Sequence, residues 1–317
     1  FLARVDAAGN RGFRLTIGGG LATLRRNGLL AHEFLPADQL LETAEAVVRV
    51  FHRTGDRQHR HKARLKFVID RLGPDAFLAE YRAELEKVRA EGPRELHLSP
   101  LPPEPVLEPV VDTLAYDVPT RFLATAVRQQ RQPGFVAVTL RLHLGDLSAA
   151  QFRALADAAE RFSGEREVRF TYEQNVVLRF VDRRRLGALH AFLHAHGLAT
   201  DGAGTIADIT SCPGAMSCKL SVTASRGLTS LLAETLENKP ELKALAPDLV
   251  MKASGCPNSC GQHHVAAIGW QGGMKKVNGR PAPTYHLYLG GGVDPDKAHF
   301  GKLMAKVPAR RAGDALE

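Results

Sequence analysis

The chain has 317 residues, 44% of them hydrophobic and 6% aromatic, and its 42 Lys and Arg against 34 Asp and Glu give a formal net charge of +8. A chain of this length can bury a substantial core and ordinarily forms two or three domains. No apolar run approaches the roughly eighteen residues of a membrane-spanning helix, so we exclude a membrane span; the dispersed basic residues favour an anionic partner but give no indication of nucleic-acid binding.

The first predicted element is a strand that ends in a glycine run, and the same pattern returns near the end of the chain. Residues 11–20 alternate apolar and polar side chains and end in three glycines. Residues 284–292 do the same. With the glycines aligned, the matching pairs are Phe13 with Tyr285, Leu15 with Leu287 and Ile17 with Leu289. This internal repeat predicts a duplicated architecture.

Two helices follow the first strand, and a proline-dense segment follows the helices. Asp38 is a suitable N-cap for a helix that would cover a sheet with one apolar stripe. The stripe consists of Leu40, Leu41, Ala44, Val47, Val48 and Phe51. Residues 73–91 form a second helix, which is amphipathic and highly charged. The prolines of residues 99–105 predict an extended linker, where we place a domain boundary.

Two cations lie close together between the predicted helices. Arg64 and Lys66 are separated by one residue. If this segment is extended, both side chains point to one side and Leu65 points to the other. Two cations on one face could hold an oxyanion. The alternative is a helix or a strand edge that carries solvated cations.

The middle of the chain alternates strands with helices. We predict a strand at residues 135–144, a strand pair or one long strand at 167–179, and helices at residues 149–162 and 183–196, the first helix capped by Ser148. This order of short elements is typical of a ferredoxin-like half-domain.

All four cysteines of the chain lie in two clusters. Cys212 and Cys218 flank a loop that contains Pro-Gly, whereas Cys256 and Cys260 are four residues apart. One helical turn beginning at Pro257 would therefore put the second pair on one face. Four thiolates converging from a folded scaffold indicate an iron–sulfur cubane. The alternatives are structural zinc, which prefers closer ligand spacing, disulfides, which need an oxidising compartment, and buried cysteines acting as small hydrophobes.

The two cysteine clusters together resemble those of the siroheme and [4Fe-4S] nitrite/sulfite reductases. The Cys-x5-Cys pair is followed by the sequence SGCPNSCGQ at residues 254–262, and this second motif is highly specific. The resemblance implies that Cys212, Cys218, Cys256 and Cys260 hold a [4Fe-4S] cluster and that Cys260 also bridges to the iron of siroheme. The chain departs from the family at Ala267, where an acidic residue is usual.

The resemblance also implies roles for other side chains. Arg64 and Lys66 would contact the substrate anion, and Lys62 would contact carboxylates of siroheme. Further siroheme contacts would come from Gln174, Asn175, Ser254, Gly255, Asn258 and Gln262. For Gln174 and Asn175 the alternative is a polar pair that is merely satisfied at a strand edge.

The fold implied by the resemblance is α+β, in two pseudo-symmetric halves that each combine a ferredoxin-like half-domain with a siroheme/cluster domain. Residues 1–92 would be the C-terminal part of the first siroheme-type α/β domain, and residues 93–117 a Pro-rich linker. Residues 118–204 would be a ferredoxin-like half-domain, and residues 205–317 a [4Fe-4S]/siroheme domain. On this template the chain begins late in one half and stops early in the other, with a helix started but not completed after Phe300, so we expect a partial chain.

The implied activity is the six-electron reduction of sulfite to sulfide or of nitrite to ammonia. Lys66 favours sulfite, because nitrite enzymes tend to have Asn there, while the Ser-Cys-Gly-Gln segment is closer to the nitrite branch. We expect a cytoplasmic protein with an acidic electron donor such as ferredoxin or a flavoprotein, and no turnover by residues 1–317 alone. The alternatives are an enzyme like precorrin-3B synthase of the cobalamin pathway and a non-catalytic iron–sulfur or zinc protein.

Overall fold

The computed structural model describes residues 1–94, 103–107, 116–294 and 297–317. These residues form two compact units, one within residues 1–102 and one that takes in most of residues 103–317. Most of the predicted linker at 93–117 lies outside the described residues, and the predicted domain boundaries stay predictions. No helix in the described part of the chain is long and apolar enough to cross a membrane.

The first unit packs three helices against a three-stranded antiparallel sheet in the order β1-β2-β3. Its strands are β1 (Leu2–Val5), β2 (Arg11–Ile17) and β3 (Leu29–Pro36), and its helices are α1 (Leu40–Thr54), α2 (Leu65–Leu72) and α3 (Pro74–Ala90). A short 3-10 turn, Ala37–Gln39, precedes α1, so the helix begins two residues after the predicted cap. Gly73, at φ +86°, separates α2 from α3, and Pro74 opens the second of these helices.

The apolar stripe predicted for α1 is partly wrong. The helix buries Thr43, Ala46 and Val50, whereas Leu41 and Val48 are exposed. The core beneath it is formed with α3, whose Phe77, Tyr81 and Val88 are buried in the same cluster. Apolar side chains occur on two adjoining faces of α1, and the position of α3 decides which face is covered.

The second unit begins with the half-domain that the sequence predicts. Its helices are α4 (Thr120–Ala126), α5 (Ala149–Phe162) and α6 (Leu186–Ala195), and its strands are β4 (Val127–Gln129), β5 (Phe135–Leu140), β6 (Arg169–Phe170) and β7 (Val176–Asp182). The strands form an antiparallel sheet in the order β4-β5-β7-β6. Ser148 caps α5 through a capping box with Gln151, as the sequence predicts for the serine. Of the two alternatives for residues 167–179 the strand pair is confirmed, because a turn separates β6 from β7.

The rest of the second unit is built on a five-stranded sheet. The elements are β8 (Thr210–Ser211), α7 (Ser225–Asn238), α8 (Pro240–Leu245), β9 (Met251–Ser254), β10 (Ile268–Val277), β11 (Arg280–Leu289), β12 (Gly292–Val293), β13 (Ala298–His299) and β14 (Lys302–Pro308). The sheet order is β14-β11-β10-β9-β8, with β12 and β13 paired separately. The strands β8, β9 and β10 run parallel. Trp270 of β10 is fully buried against Leu232 of α7.

The internal repeat is confirmed. In both copies the strand pairing starts in the same register, which then differs by one residue from Leu15 and Leu287 onward because the bulges lie at different positions. In the first copy Gly12 pairs with Pro36 and Phe13 with Leu35. In the second, Thr284 pairs with Pro308 and Tyr285 with Val307, so all four positions are shifted by 272. The first glycine after each strand, Gly18 or Gly290, has φ +77°. A backbone in this left-handed region favours glycine.

The helix predicted after Phe300 is wrong. The segment forms the strand β14, which pairs with β11 as β3 pairs with β2. A 3-10 turn, Ala309–Arg311, then follows at the position that corresponds to Ala37–Gln39. Each copy therefore consists of a strand, a glycine turn, a returning strand and a 3-10 turn.

Candidate metal centre

The first cysteine loop begins where β8 ends. Cys212 follows Ser211 directly, and a 3-10 turn, Gly214–Met216, leads to Cys218, whose N–H donates to the Gly214 carbonyl at 3.0 Å. Gly214 has φ +60°, and a Cβ there would lie 2.4 Å from the Ser225 hydroxyl oxygen. The loop is therefore tightly wound against the start of α7, as a loop folded around a ligand would be.

The second cysteine loop begins where β9 ends, and its predicted helical turn is wrong. Residues 255–262 form successive turns, because Ser259 and Gln262 have φ near +60° and interrupt any helix. The fully buried Ser254 hydroxyl accepts the Gly261 N–H at 3.1 Å and closes the loop on itself. A Cβ on Gly261 would lie 1.9 Å from the Ala253 carbonyl oxygen, so only glycine fits.

The sheet brings the two cysteine loops to the same edge. Ser211 of β8 pairs with Ala253 of the neighbouring parallel strand β9, so both strands end side by side. The Gly255 N–H then donates to the Cys212 sulfur at 3.2 Å, and the Ser225 hydroxyl oxygen lies 3.3 Å from the same sulfur. Ser225 is not predicted from the sequence, because nothing in the motif marks residues between the two cysteine clusters.

The two loops that meet at this edge carry all four thiols. Burial raises the pKa of the Cys260 thiol, and the charges of Cys212, Cys256 and Cys218 raise it further. Every cysteine is a free thiol. Cys256 is 7% exposed, whereas Cys260 lies in an exposed position. Among the residues that the structure describes, no three Cys, His, Asp or Glu side chains are close enough to share one metal ion. A cubane takes one thiolate at each of four iron vertices, so its ligands need not be close enough to share a single ion.

Gln174 and Asn175 support the first cysteine loop from the turn between β6 and β7. The Gln174 amide donates to the Ser211 carbonyl at 2.9 Å and accepts the Ser211 N–H at 3.1 Å. Asn175 accepts the Leu142 N–H at 3.0 Å and donates to the buried Asp208 carboxylate at 2.7 Å. Both amides are therefore satisfied within the protein, as in the alternative given for this pair, and their contact with siroheme stays a prediction.

The other predicted siroheme contacts lie in or beside the second loop. Ser254 and Gly255 are buried within it and Asn258 is exposed. Gln262 accepts a hydrogen bond from the Lys252 ammonium at 2.8 Å. Lys252 is 4% exposed, and burial lowers the pKa of its ammonium. The sequence analysis missed Lys252, although a lysine in the apolar strand before the motif is a detectable signal.

The two cations predicted to share one face of an extended segment do not do so. Arg64 is the extended residue before α2, and Lys66 lies inside the helix. Lys66 is 3% exposed, and its ammonium donates to the carbonyls of Leu21 and Leu24 at 2.9 and 2.5 Å. Arg64 and Lys62 are exposed. The first unit therefore presents Arg64 to solvent and uses Lys66 to hold the loop after its glycine turn.

Comparisons with known proteins identify the class to which this fold belongs, which is that of iron–sulfur redox metalloproteins. Residues 1–89 match the family model of the nitrite and sulphite reductase 4Fe-4S domain, and residues 128–196 match that of the nitrite/sulfite reductase ferredoxin-like half domain. The chain belongs to the nitrite/sulfite reductase family. This family carries siroheme and a [4Fe-4S] cluster.

Individual relatives match almost the whole chain. A chloroplastic ferredoxin–nitrite reductase from Zea mays is 29% identical over 95% of this chain and 50% of its own length. A sulfite reductase [ferredoxin] from Mycobacterium tuberculosis is 31% identical over 96% of this chain and 52% of its own length. The solved structure of the NirA protein of Mycobacterium tuberculosis has a TM-score of 0.73 and 28% identity, and the match covers 99% of this chain and 54% of that one. The chain thus spans about half the length of the curated relatives it matches.

The match to the 4Fe-4S domain falls on the copy that has no cysteine. Residues 1–89 contain none, and all four lie between positions 212 and 260. The strands that repeat this copy, β10, β11 and β14, belong to the same sheet as β8 and β9, which end at the cysteine loops. The duplication therefore explains how a domain named for its cluster matches a cysteine-free segment: the cysteines accompany the second copy.

Proposed function

We propose that this chain is the cluster-bearing part of a siroheme-dependent reductase that transfers six electrons to sulfite or nitrite. The observation that carries the proposal is that two loops, each with two free thiols, start side by side at one edge of the β8-β9 pair, where the Gly255 N–H of one loop contacts the Cys212 sulfur of the other. The relatives are named as nitrite and sulfite reductases that use ferredoxin. A ferredoxin-type donor is acidic, which suits the formal net charge of +8.

The residues of this chain would bind and orient the metal groups. The four cysteines would hold a [4Fe-4S] cluster, with Cys260, the exposed thiol of the four, left able to reach a second iron. When bound, the cluster and siroheme supply the electron chemistry that no side chain can provide. The Gly255 N–H directed at the Cys212 sulfur would stabilise its thiolate charge, since hydrogen bonds to ionised acceptors are the stronger ones.

Arg64 is the better placed of the two cations assigned to the substrate. Its side chain is exposed, whereas the Lys66 ammonium is occupied by two carbonyl oxygens. The preference for sulfite depended on Lys66, so its burial removes that preference. We therefore propose the class of small oxyanions, sulfite and nitrite together, and kcat/KM for each anion on the full-length protein would discriminate between them.

The test is metal analysis of matched variants. Purified anaerobically after reconstitution with iron and sulfide, the chain is expected to hold about four iron and four sulfide per molecule. C212S, C218S and C256S should each lose most of this content. The neighbouring S217A in the same exposed loop segment, which changes no thiol, should keep it.

The cofactors give distinct spectra, so the outcome is unambiguous. Iron–sulfur proteins absorb broadly in the visible range, siroheme adds intense bands, and zinc adds none. Retention of the full iron content by all three serine variants would refute the assignment of these ligands. Stoichiometric zinc without iron would instead support the structural zinc alternative.

A further inference from the structure

The carbonyl of Gly255 receives three hydrogen bonds from one turn on the far side of the first cysteine loop. The backbone N–H groups of Val222 and Thr223 donate to it at 2.9 and 3.0 Å. The Thr223 hydroxyl donates to it as well, at 3.3 Å. Because Gly255 directly precedes Cys256, this turn fixes the backbone at the entrance to the second loop.

Two glycines make the space in which this contact is formed. A Cβ on Gly272 of β10 would lie 2.1 Å from the Thr223 hydroxyl oxygen and 2.4 Å from the Gly255 carbonyl oxygen. A Cβ on Gly255 would lie 2.1 Å from the Ser221 hydroxyl oxygen. A larger residue at position 272 would displace the Thr223 side chain, and one at position 255 would displace the turn that carries it, so the Thr223 hydroxyl is closely packed.

A buried tyrosine continues the contact on the neighbouring strand. Tyr285 of β11 pairs with Gly272 and is 2% exposed. Burial raises the pKa of its phenol, and the neighbouring Thr223 side chain opposes that rise. In the cysteine-free copy the corresponding residue is Phe13, which has no hydroxyl. The hydroxyl is thus present in the copy that accompanies the thiols and absent from the other.

The opposite side of Gly255 faces a thiol. Its N–H donates to the Cys212 sulfur at 3.2 Å, so Gly255 lies between the Thr223 hydroxyl and the sulfur of a proposed cluster ligand. We propose that Thr223 and Tyr285 are positioning residues that hold Gly255 with its N–H directed at Cys212. They would preset the separation of the two cysteine loops before the cluster enters. This inference rests on the proposed [4Fe-4S] site.

The arrangement has a consequence for the potential of the bound cluster. Hydrogen bonds to cluster sulfurs stabilise the more negative, reduced form and so raise the reduction potential. Loosening Gly255 would weaken one such bond. T223V keeps the shape of the side chain and removes its hydroxyl. In this variant the ratio of reduced to oxidised cluster at a fixed potential should fall about tenfold, which corresponds to a reduction potential lower by about 59 mV for one electron. Y285F should shift it in the same direction by less.

The experiment compares these variants with two controls. T223S retains the hydroxyl and should remain at the wild-type potential. T229V removes a different buried hydroxyl in the same core, which donates to the Ser225 carbonyl at 3.0 Å without touching Gly255, and should also leave the potential unchanged. The potential is read from an anaerobic redox titration followed by electron paramagnetic resonance. Burial of Trp270, read by its fluorescence, shows that each variant is folded.

A second readout needs no cluster. In the apoprotein, amide hydrogen exchange at Gly255 and Cys256 should be about tenfold faster in T223V than in T229V. This factor corresponds to a local opening free energy that is lower by about 1.4 kcal/mol. Unchanged exchange and potential in both T223V and Y285F would overturn the inference while leaving the cluster assignment intact. A wild-type chain that binds no iron would overturn the proposed function and this inference together. Should T223V not fold, the comparison of Y285F with the wild type decides, because Y285F alters no backbone contact.

Discussion

The substitution Q174L tests whether Gln174 supports the first cysteine loop in the absence of any cofactor. In the structure its amide satisfies both backbone groups of Ser211, at 2.9 and 3.1 Å. Leucine has a similar volume and cannot form either hydrogen bond. If Gln174 served only as a contact for siroheme, the apoprotein would not need it.

The size of the effect follows from the burial of Ser211, which is 3% exposed. A buried backbone group left without a partner costs about 1–3 kcal/mol, so two such groups would cost about 2–6 kcal/mol. The Gln174 side chain is half-buried, and water can replace part of what it loses. We therefore expect Q174L to lower the free energy of unfolding by about 2–4 kcal/mol.

The assay is urea unfolding of the apoprotein, followed by tryptophan fluorescence. Trp270 is the single tryptophan of the chain and is fully buried in the second unit, so its signal reports on that unit. This matters because a chain with two units need not unfold in one step. Q132L is the matched control, since the Gln132 amide contacts the side chains of Gln130 and Glu104. A change below about 0.5 kcal/mol in Q174L, similar to that of an ordinary surface substitution, would refute the reasoning.

Two further predictions concern pH and packing. His190 is 3% exposed, and burial, with a contribution from His194, lowers the pKa of its imidazole, so the unfolded chain takes up a proton that the folded one resists. The free energy of unfolding should therefore fall as pH drops below about 6.5. In unfolding followed by circular dichroism, H190F should lose less stability than the wild type between about pH 7.5 and about pH 5.5. The same dependence of stability on pH in both proteins would contradict this prediction. G261A places a Cβ within 1.9 Å of the Ala253 carbonyl oxygen, so it should lower the free energy of unfolding by about 1–3 kcal/mol and remove most of the bound iron. At Gly292 a Cβ would have no atom within 4 Å, so G292A should change neither the stability nor the iron content. Equal iron content in the two glycine variants would count against a close-packed loop.

The half-domain was predictable because its signals are local. Ser148 precedes an apolar helix and forms a capping box with Gln151, and the strand β5 is a short apolar run bounded by turn residues. The family was predictable for a different reason, which is that the spacing of four rare cysteines identifies it. In both cases the information lies within a few consecutive positions.

The predictions that are wrong depend on contacts between distant segments. Lys66 donates to carbonyls more than forty positions earlier in the chain, which no pattern around residue 66 reveals. The face of α1 that becomes buried is chosen by α3, and the strand β14 is recognised by its pairing with β11. The hydroxyl of Thr223 gains its role from glycines at positions 255 and 272.

The duplication gives each strand position in the second copy an internal reference within the same polypeptide. Position 13 can be compared with 285, 14 with 286 and 16 with 288, which pairs Phe with Tyr, Arg with His and Thr with Tyr. Residues that the strand geometry alone demands should be alike in the pair, and residues recruited for redox work should differ. Grafting the three second-copy side chains onto the first would show how far such a scaffold accepts polar substitutions when no thiols lie beside them.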